Sequence, residues 1–277
     1  MMTLQAGDTV VLLGCSNGRP RTQETLQEIA TLVAWLEQYQ LQVIVADTVF
    51  VDESTQETLP PDKRATTLLQ FLLDEQVRAI FDVTGGDLAN ETLLALQADI
   101  ATLKQVPTAK YYVGYSDNTV ILNALMPYNL IYPINFLITQ VLRDQSQVAS
   151  QSFVNYFFKA QTNFAPQQHY GGNLRCFLKL AGTTYFPQQT IHSLLIEGLG
   201  GDINKVKTYL AQLALIGVFD SLEQLIVGQF SEIHQKGQQH LLEITLKSYE
   251  QAYGFKIVHT EKVGHHHAVE PFPYKLA

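Results

Sequence analysis

Four short apolar runs in the first 125 residues are each followed by a turn and a segment of helical spacing, and that order constrains the fold more than any other feature. Thr9-Val-Val-Leu-Leu13 ends at Gly14-Cys-Ser-Asn-Gly18, and Leu26, Ile29, Leu32, Val33 and Leu36 then mark one helical face between Thr22 and Tyr39. Leu41 to Ala46 reads as a second strand, and Pro60-Pro61 opens a helix from about Asp62 to Glu75. A third strand, Val77 to Asp82, leads through Gly85-Gly86 into a helix from about Asn90 to Gln97. The fourth run is Tyr111-Tyr-Val113. Strands that are apolar throughout and joined by helices predict a parallel sheet covered on both faces.

Beyond Pro127 the pattern loosens. Residues 142–169 are polar and aromatic, with one helical stretch expected around Phe153-Val-Asn-Tyr-Phe-Phe158, and they read as a connection. A second α/β region starts at Gly171-Gly-Asn-Leu174. It alternates a helix (Leu174 to Leu180), a strand (Ser193 to Glu197), a helix (Ile203 to Ala214) and a strand (Gln224 to Gly228). A helix at about Leu241 to Tyr249 and a strand, Lys256 to His259, complete it. The expected organisation is a larger lobe over 1–141, a connection over 142–169 and a smaller α/β lobe over 170–277.

Composition removes several function classes. The 277 residues are 46% hydrophobic and 16% charged, enough to bury a sizeable core. Lys and Arg number 18 against 26 Asp and Glu, a formal charge of −8, which argues against nucleic-acid binding through a basic surface. No apolar run approaches the roughly 20 residues of a membrane helix. The N-terminus lacks a basic region followed by an apolar core, and Cys15 and Cys176 form neither a redox nor a metal-spaced pair, so a reduced, cytoplasmic protein is expected.

The chemistry gathers where strands end. In Lys110-Tyr-Tyr-Val-Gly-Tyr-Ser-Asp-Asn-Thr-Val-Ile-Leu-Asn-Ala-Leu125 a strand meets Gly114 and Ser116 and then a helix, the geometry that lifts a nucleophilic hydroxyl out of the backbone. The competing reading of Ser116 is a helix N-cap. Glu197 ends an apolar strand, where a carboxylate is costly to desolvate unless paired; capping or an ion pair is the alternative. Gly264-His-His-His267 supplies imidazoles, but adjacent histidines cannot all face one ion, and no Cys or carboxylate spacing completes a ligand set, so no metal and no cofactor are expected. Ser, Glu and His in that chain order suit a triad in which imidazole takes the hydroxyl proton and carboxylate fixes the imidazole. An ordinary α/β-hydrolase is disfavoured, because Asn118 stands where its nucleophile turn has a second glycine. Gly85-Gly86 follows a parallel strand, where a turn without side chains lets backbone N–H groups approach an oxyanion.

Together these residues resemble the LD-carboxypeptidase serine peptidase family, which also contains the microcin C self-immunity hydrolases. Thr84-Gly-Gly-Asp-Leu-Ala-Asn90 is similar to its Gly-Gly loop and Gly114-Tyr-Ser-Asp117 to its nucleophile motif. Gly171-Gly-Asn-Leu174, Leu195-Ile-Glu197, Gly264-His265 and Pro273 fall in the family's order, from Val10 to about Pro273. The resemblance implies a Rossmann-like parallel-sheet N-terminal lobe with a smaller α/β C-terminal lobe, the site between them, and a homodimer. It implies Ser116 as nucleophile, His265 as general base, Glu197 as its orienting carboxylate, and the N–H groups of Gly86 and Asp117 as the oxyanion hole. It also makes Thr84, Gly85 and Asp87 candidates for substrate contact. The implied substrate is a small peptide, foremost the L,D bond of cytoplasmic muropeptides with release of D-Ala. Thr84, where carboxypeptidase members carry Arg, favours a microcin C-like immunity hydrolase acting on peptidyl- or aminoacyl-nucleotide conjugates as the alternative. Gly198 and the following stretch, without the family's acidic, aromatic and basic residues, leave a catalytically weakened ligand-binding relative as the third expectation.

Overall fold

Alternate residues of the first strand point to opposite faces, and in the computed structural model, which describes residues 2–276, each face meets its own helices. Val10 and Leu12 join one apolar cluster and Val11 and Leu13 another. The chain runs β1 (Thr9–Leu13), α1 (Gln23–Glu37), β2 (Gln42–Val45), α2 (Pro61–Leu73), β3 (Val77–Asp82), α3 (Ala89–Leu96), β4 (Lys110–Gly114), α4 (Thr119–Ala124) and β5 (Ile131–Asn135). It continues with α5 (Gln140–Arg143), α6 (Val148–Lys159), β6 (Tyr170–Asn173), α7 (Leu174–Leu178), β7 (Ser193–Gly198) and α8 (Ile203–Leu215). Last come β8 (Gln224–Phe230), α9 (Ser231–Gln235), α10 (Gln239–Tyr253), β9 (Lys256–His259) and β10 (Phe272–Pro273).

Two sheets result. The larger has strand order β10-β5-β4-β3-β1-β2 and is parallel except for β10, which pairs antiparallel with β5. The smaller, β6-β7-β8-β9, is parallel throughout. This is a Rossmann-like α/β protein of two lobes. Helices α1 and α6 cover one face of the larger sheet through Ile29, Leu32, Phe153 and Phe157, while α2, α3 and α4 cover the other. The second cluster runs without a break from Val120 and Ile121 of α4 into Cys176 and Phe177 of α7 and on to Leu194 of β7. A continuous apolar core therefore joins the lobes.

Four elements differ from the sequence expectation. Residues 148–159, read within a connection, form a full helix packed on the larger sheet. Strands β5 and β6 stand where no strand is expected, and the chain's last strand returns from the smaller lobe to the edge of the larger sheet. Among the described residues no helix is long and apolar enough to cross a membrane.

A titratable group lies against the returning segment. His169 donates its backbone N–H to the Tyr274 carbonyl, and its ring lies 2.8 Å from the Ser193 hydroxyl. Burial lowers its pKa to about 4. Between the ordinary histidine value and about 4 the unfolded chain binds a proton that the folded chain refuses, so stability falls as pH drops through that window. A proton NMR titration is expected to place the His169 midpoint near 4; a midpoint at the ordinary value contradicts this account.

Candidate active site

Sites in open α/β sheets lie beyond the carboxyl ends of the strands where strand order reverses. Here the loops after β1, β3 and β4 meet at that place. Ser116 follows β4 with φ of +57°, a left-handed backbone that a non-glycine residue adopts at a cost of about 1–2 kcal/mol. Its hydroxyl caps no helix: neither the short 3₁₀ turn Ser116–Asn118 nor α4 has a side-chain cap bond. The Ser116 Oγ instead lies 3.2 Å from Nε2 of His265.

His265 Nδ1 is 2.7 Å from Oε2 of Glu197. An ionised carboxylate only accepts, so Nδ1 carries the proton and Nε2 presents a lone pair to the serine hydroxyl. Glu197 is wholly buried at the end of β7. The Tyr115 hydroxyl donates to the same Oε2 at 3.4 Å, while Oε1 has no hydrogen-bond partner among the described residues. The Tyr115 ring also packs on the His265 ring, centroids 4.6 Å apart. Burial and the Glu197 charge push the Tyr115 phenol well above its ordinary pKa, so it remains a donor. Three side chains separated by 81 and 68 residues along the chain, read as candidates from strand-end positions, are thus brought together.

The Gly-Gly loop lies against them. An ideal Cβ on Gly85 would stand 3.8 Å from the Ser116 Cβ. Gly86 has φ of +132°, and a Cβ there would fall 2.1 Å from Oδ1 of Asn17, the atom that accepts from the Asp87 and Leu88 N–H groups. Only glycine fits that crossing. Thr84 is buried; its hydroxyl donates to Asp82 and accepts from the Ser16 N–H, so its side chain belongs to the scaffold beneath the loop. Asp87 is exposed and pairs with Arg175 at 2.6 Å.

Two buried networks fix these loops. Asp82 at the end of β3 accepts from the N–H groups of Cys15 and Thr84, the Thr84 hydroxyl and the Tyr112 hydroxyl; burial still raises its pKa. Arg64, 1% exposed, donates to the carbonyls of Cys15, Leu59 and Leu88 and pairs with Glu91. In the second network the fully buried Asp117 accepts from the Ser16 hydroxyl, the Ala89 N–H and Lys179 Nζ, the last at 2.5 Å. Sequence reading missed Asp82, Arg64 and Lys179 and named Asp117 only for its backbone N–H, although Asp82 carries the same signal as Glu197, a carboxylate closing an apolar strand.

A cleft of about 380 Å³ opens over Ser116, with Gly86, Asn173, Arg175, Lys205 and Tyr209 in its wall. Of the two other histidines in the cluster, His267 lies 2.6 Å from the Gln140 side chain. Among the described residues no three His, Cys, Asp or Glu side chains gather as a metal site.

The family model of the LD-carboxypeptidase N-terminal domain matches residues 10–132, and that of its C-terminal domain residues 168–276. The fold is similar to the wild-type microcin C7 self-immunity protein MccF in its apo state, with a TM-score of 0.80 and 17% identity over 98% of this chain and 92% of that one. The same protein in complex with aspartyl sulfamoyl adenosine gives a TM-score of 0.79, again at 17% identity and with the same coverage of both chains. A muramoyltetrapeptide carboxypeptidase from Oxalobacter formigenes gives 0.77 at 18% identity, over 96% of this chain and 92% of that one. No curated protein matches the chain.

Proposed function

The chain belongs to the LD-carboxypeptidase family, and from that membership and its site geometry we propose that it is a serine hydrolase cleaving an amide in a small peptide or aminoacyl-nucleotide conjugate. The observation that carries this reading is the unbroken line from Glu197 through His265 to Ser116, at 2.7 and 3.2 Å.

The geometry supports a double displacement. Ser116 Oγ attacks the carbonyl carbon while its proton passes to Nε2 of His265, and Glu197 stabilises the imidazolium. The N–H groups of Gly86 and Asp117 are the proposed donors to the oxyanion. Collapse of the tetrahedral intermediate breaks the C–N bond, and Nε2 returns the proton to the leaving amine. Water then attacks the acyl carbon while its proton passes to His265, the C–Oγ bond breaks, and Nε2 returns the proton to Ser116 Oγ as the acid product leaves. The positive φ of Ser116 is the strained turn that presents Oγ to the cleft.

Between the two substrate classes, the conjugate reading has the better support. Solved structures of the microcin C7 self-immunity type recur among the similar folds, and one holds an aminoacyl sulfamoyl adenosine. The muropeptide reading rests on the similar muramoyltetrapeptide carboxypeptidase. Side-by-side assays of aspartyl sulfamoyl adenosine hydrolysis and of D-Ala release from a muropeptide tetrapeptide test the choice. The expected outcome is faster turnover of the conjugate, with a fluorophosphonate labelling Ser116 in both settings. Faster D-Ala release reverses the order of the two substrates. Failure to label Ser116, together with no turnover of either, leaves the non-catalytic binding relative.

A further inference from the structure

Two glycines in a row cannot hold themselves in place, since neither brings a side chain to anchor and each loses more freedom on being fixed than any other residue. Gly85-Gly86 must nonetheless keep one N–H at a fixed aim over Ser116 if Gly86 is to serve an oxyanion. What fixes the loop has to come from elsewhere in the fold.

One residue reaches both sides of Gly86. Asn17, in the loop after β1, pairs its backbone with Gly85 in an isolated antiparallel bridge. Its side-chain Oδ1 accepts from the N–H groups of Asp87 at 2.7 Å and Leu88 at 3.3 Å. Gly86 lies between these two holds, and at its φ of +132° the space a Cβ would need is taken by that same Oδ1. The Gly86 carbonyl, at the other end of the peptide that carries the Asp87 N–H, accepts from Arg175 at 3.3 Å. The plane of that peptide is therefore held on both sides.

Asn17 is itself tied to the turn that carries Ser116. The hydroxyl of the preceding Ser16 donates to the Asp117 carboxylate at 2.7 Å, and the Ser16 N–H donates to the Thr84 hydroxyl at 3.2 Å. Asp117 is the residue whose N–H is the other proposed oxyanion donor. Two adjacent residues of one loop thus set the two donors in register. An exposed asparagine more often bonds backbone groups a few residues away. Asn17 is exposed, yet the two N–H groups it accepts from lie 70 and 71 residues along the chain.

We propose that Asn17 is a positioning residue of this site, aiming the Gly86 N–H at the oxyanion by bracketing Gly86 between a backbone bridge and a side-chain amide. The aim matters only under the serine-hydrolase reading, whereas the hold on the loop stands without it.

Inactivation by a fluorophosphonate tests the proposal without a known substrate. Ser116 Oγ bonds to phosphorus, its proton passes to His265, fluoride leaves, and the phosphoryl oxygen gathers negative charge over the same donors. Asn17→Ala is expected to lower the maximal inactivation rate about 10²-fold, the scale of one misaimed oxyanion donor, with the half-saturating concentration within about threefold. Its melting temperature should stay within a few degrees of the wild type. Asn17→Asp keeps an acceptor oxygen in the same place and is expected to recover at least about tenfold of the lost rate. Equal rates for Asn17→Ala and the wild type, a loss confined to the half-saturating concentration, or an Asn17→Asp variant as slow as Asn17→Ala overturns the proposal. Amide hydrogen exchange on the same proteins separates the hold from the chemistry. The Asp87 and Leu88 N–H groups are expected to exchange about tenfold faster in Asn17→Ala and at the wild-type rate in Asn17→Asp. If the wild type itself is not labelled, the hydrolase reading fails and exchange decides alone: faster exchange keeps Asn17 as the holder of the loop, and unchanged exchange removes it.

Discussion

Ser116→Ala is expected to lower turnover of the hydrolysed substrate by about 10⁴-fold or more while leaving the melting temperature almost unchanged. The two halves of that result come from different physics. Among the described residues Ser116 Oγ is the one hydrogen-bond partner of His265 Nε2, at 3.2 Å, and it lines the cleft, so its loss removes the covalent route. The same hydroxyl ties off no helix end, so the penalty of about 1 kcal/mol that follows removal of an N-cap does not apply. Ser116→Gly sharpens the comparison. Glycine relieves the left-handed backbone at φ of +57°, and the gain of about 1–2 kcal/mol exceeds glycine's extra entropy cost of about 0.5–1 kcal/mol. That variant should be as inactive as Ser116→Ala and at least as stable as the wild type. Calorimetric melting and single-turnover kinetics on the three proteins check both halves. A hydroxyl-free variant that keeps wild-type turnover would falsify the nucleophile assignment.

The strain at Ser116 was legible only in part. Gly114 and a serine before a helix mark a sharp turn, but they fit a cap as well as a nucleophile, and only the fold decides between them by placing His265 across the cleft. The parallel strands of the larger sheet were the easiest to read, because burial on both faces makes β1, β3 and β4 apolar without alternation. Strand β5 was hidden by Pro133, which forgoes a ladder donor and sits beside the two-residue edge strand β10. Strand β6 was hidden by Gly171 and Gly172. A Cβ on Gly172 would meet the Tyr274 hydroxyl at 2.5 Å and the Thr119 Oγ1 at 2.8 Å, so close approach of the lobes demands the composition of a loop in a strand. Helix α6 was obscured by its Gln, Asn and Ser residues, although Phe153 and Phe157 mark its buried face.

Networks were less visible than single residues. Glu197 could be nominated because a carboxylate after Leu194-Leu-Ile196 must find a partner, yet nothing along the chain says that Tyr115 shares it. Arg64 and Arg175 sit on helices and Lys179 follows the end of one, where a cation every few residues is ordinary. Their roles follow from what lies across the loop: carbonyls of two loops for Arg64, a buried carboxylate for Lys179, and a glycine carbonyl for Arg175.

Lys179 is where such a hidden contact has the largest consequence for the scaffold. Among the described residues its ammonium is the one cation bonded to Asp117, a wholly buried carboxylate one residue after Ser116. Asp117 also holds the Ala89 N–H at the start of α3, directly beyond the Gly-Gly loop, and Lys179 donates to the Asp87 carbonyl within that loop. One ion pair therefore sets the spacing between the turn that carries Ser116 and the loop that carries Gly86. Lys179→Met leaves the carboxylate buried with neutral donors only. Breaking a buried pair costs about 3–5 kcal/mol, and because Lys179 retains 22% exposure the expected loss is toward the lower end, about 3 kcal/mol. Displacement of the neighbouring backbone is expected to reduce kcat by about 10²-fold, the scale of a misplacement near 1 Å. The double variant Lys179→Met with Asp117→Asn is the informative control. Asparagine keeps an oxygen for the Ser16 hydroxyl and the Ala89 N–H but carries no charge, so it should recover at least about 1 kcal/mol relative to Lys179→Met alone. Recovery of stability without recovery of kcat separates relief of the buried charge from repositioning of the loop. If Lys179→Met melts with the wild type, the pair is an ornament of the rim and the loop spacing is set by Arg64 and Asp82 instead.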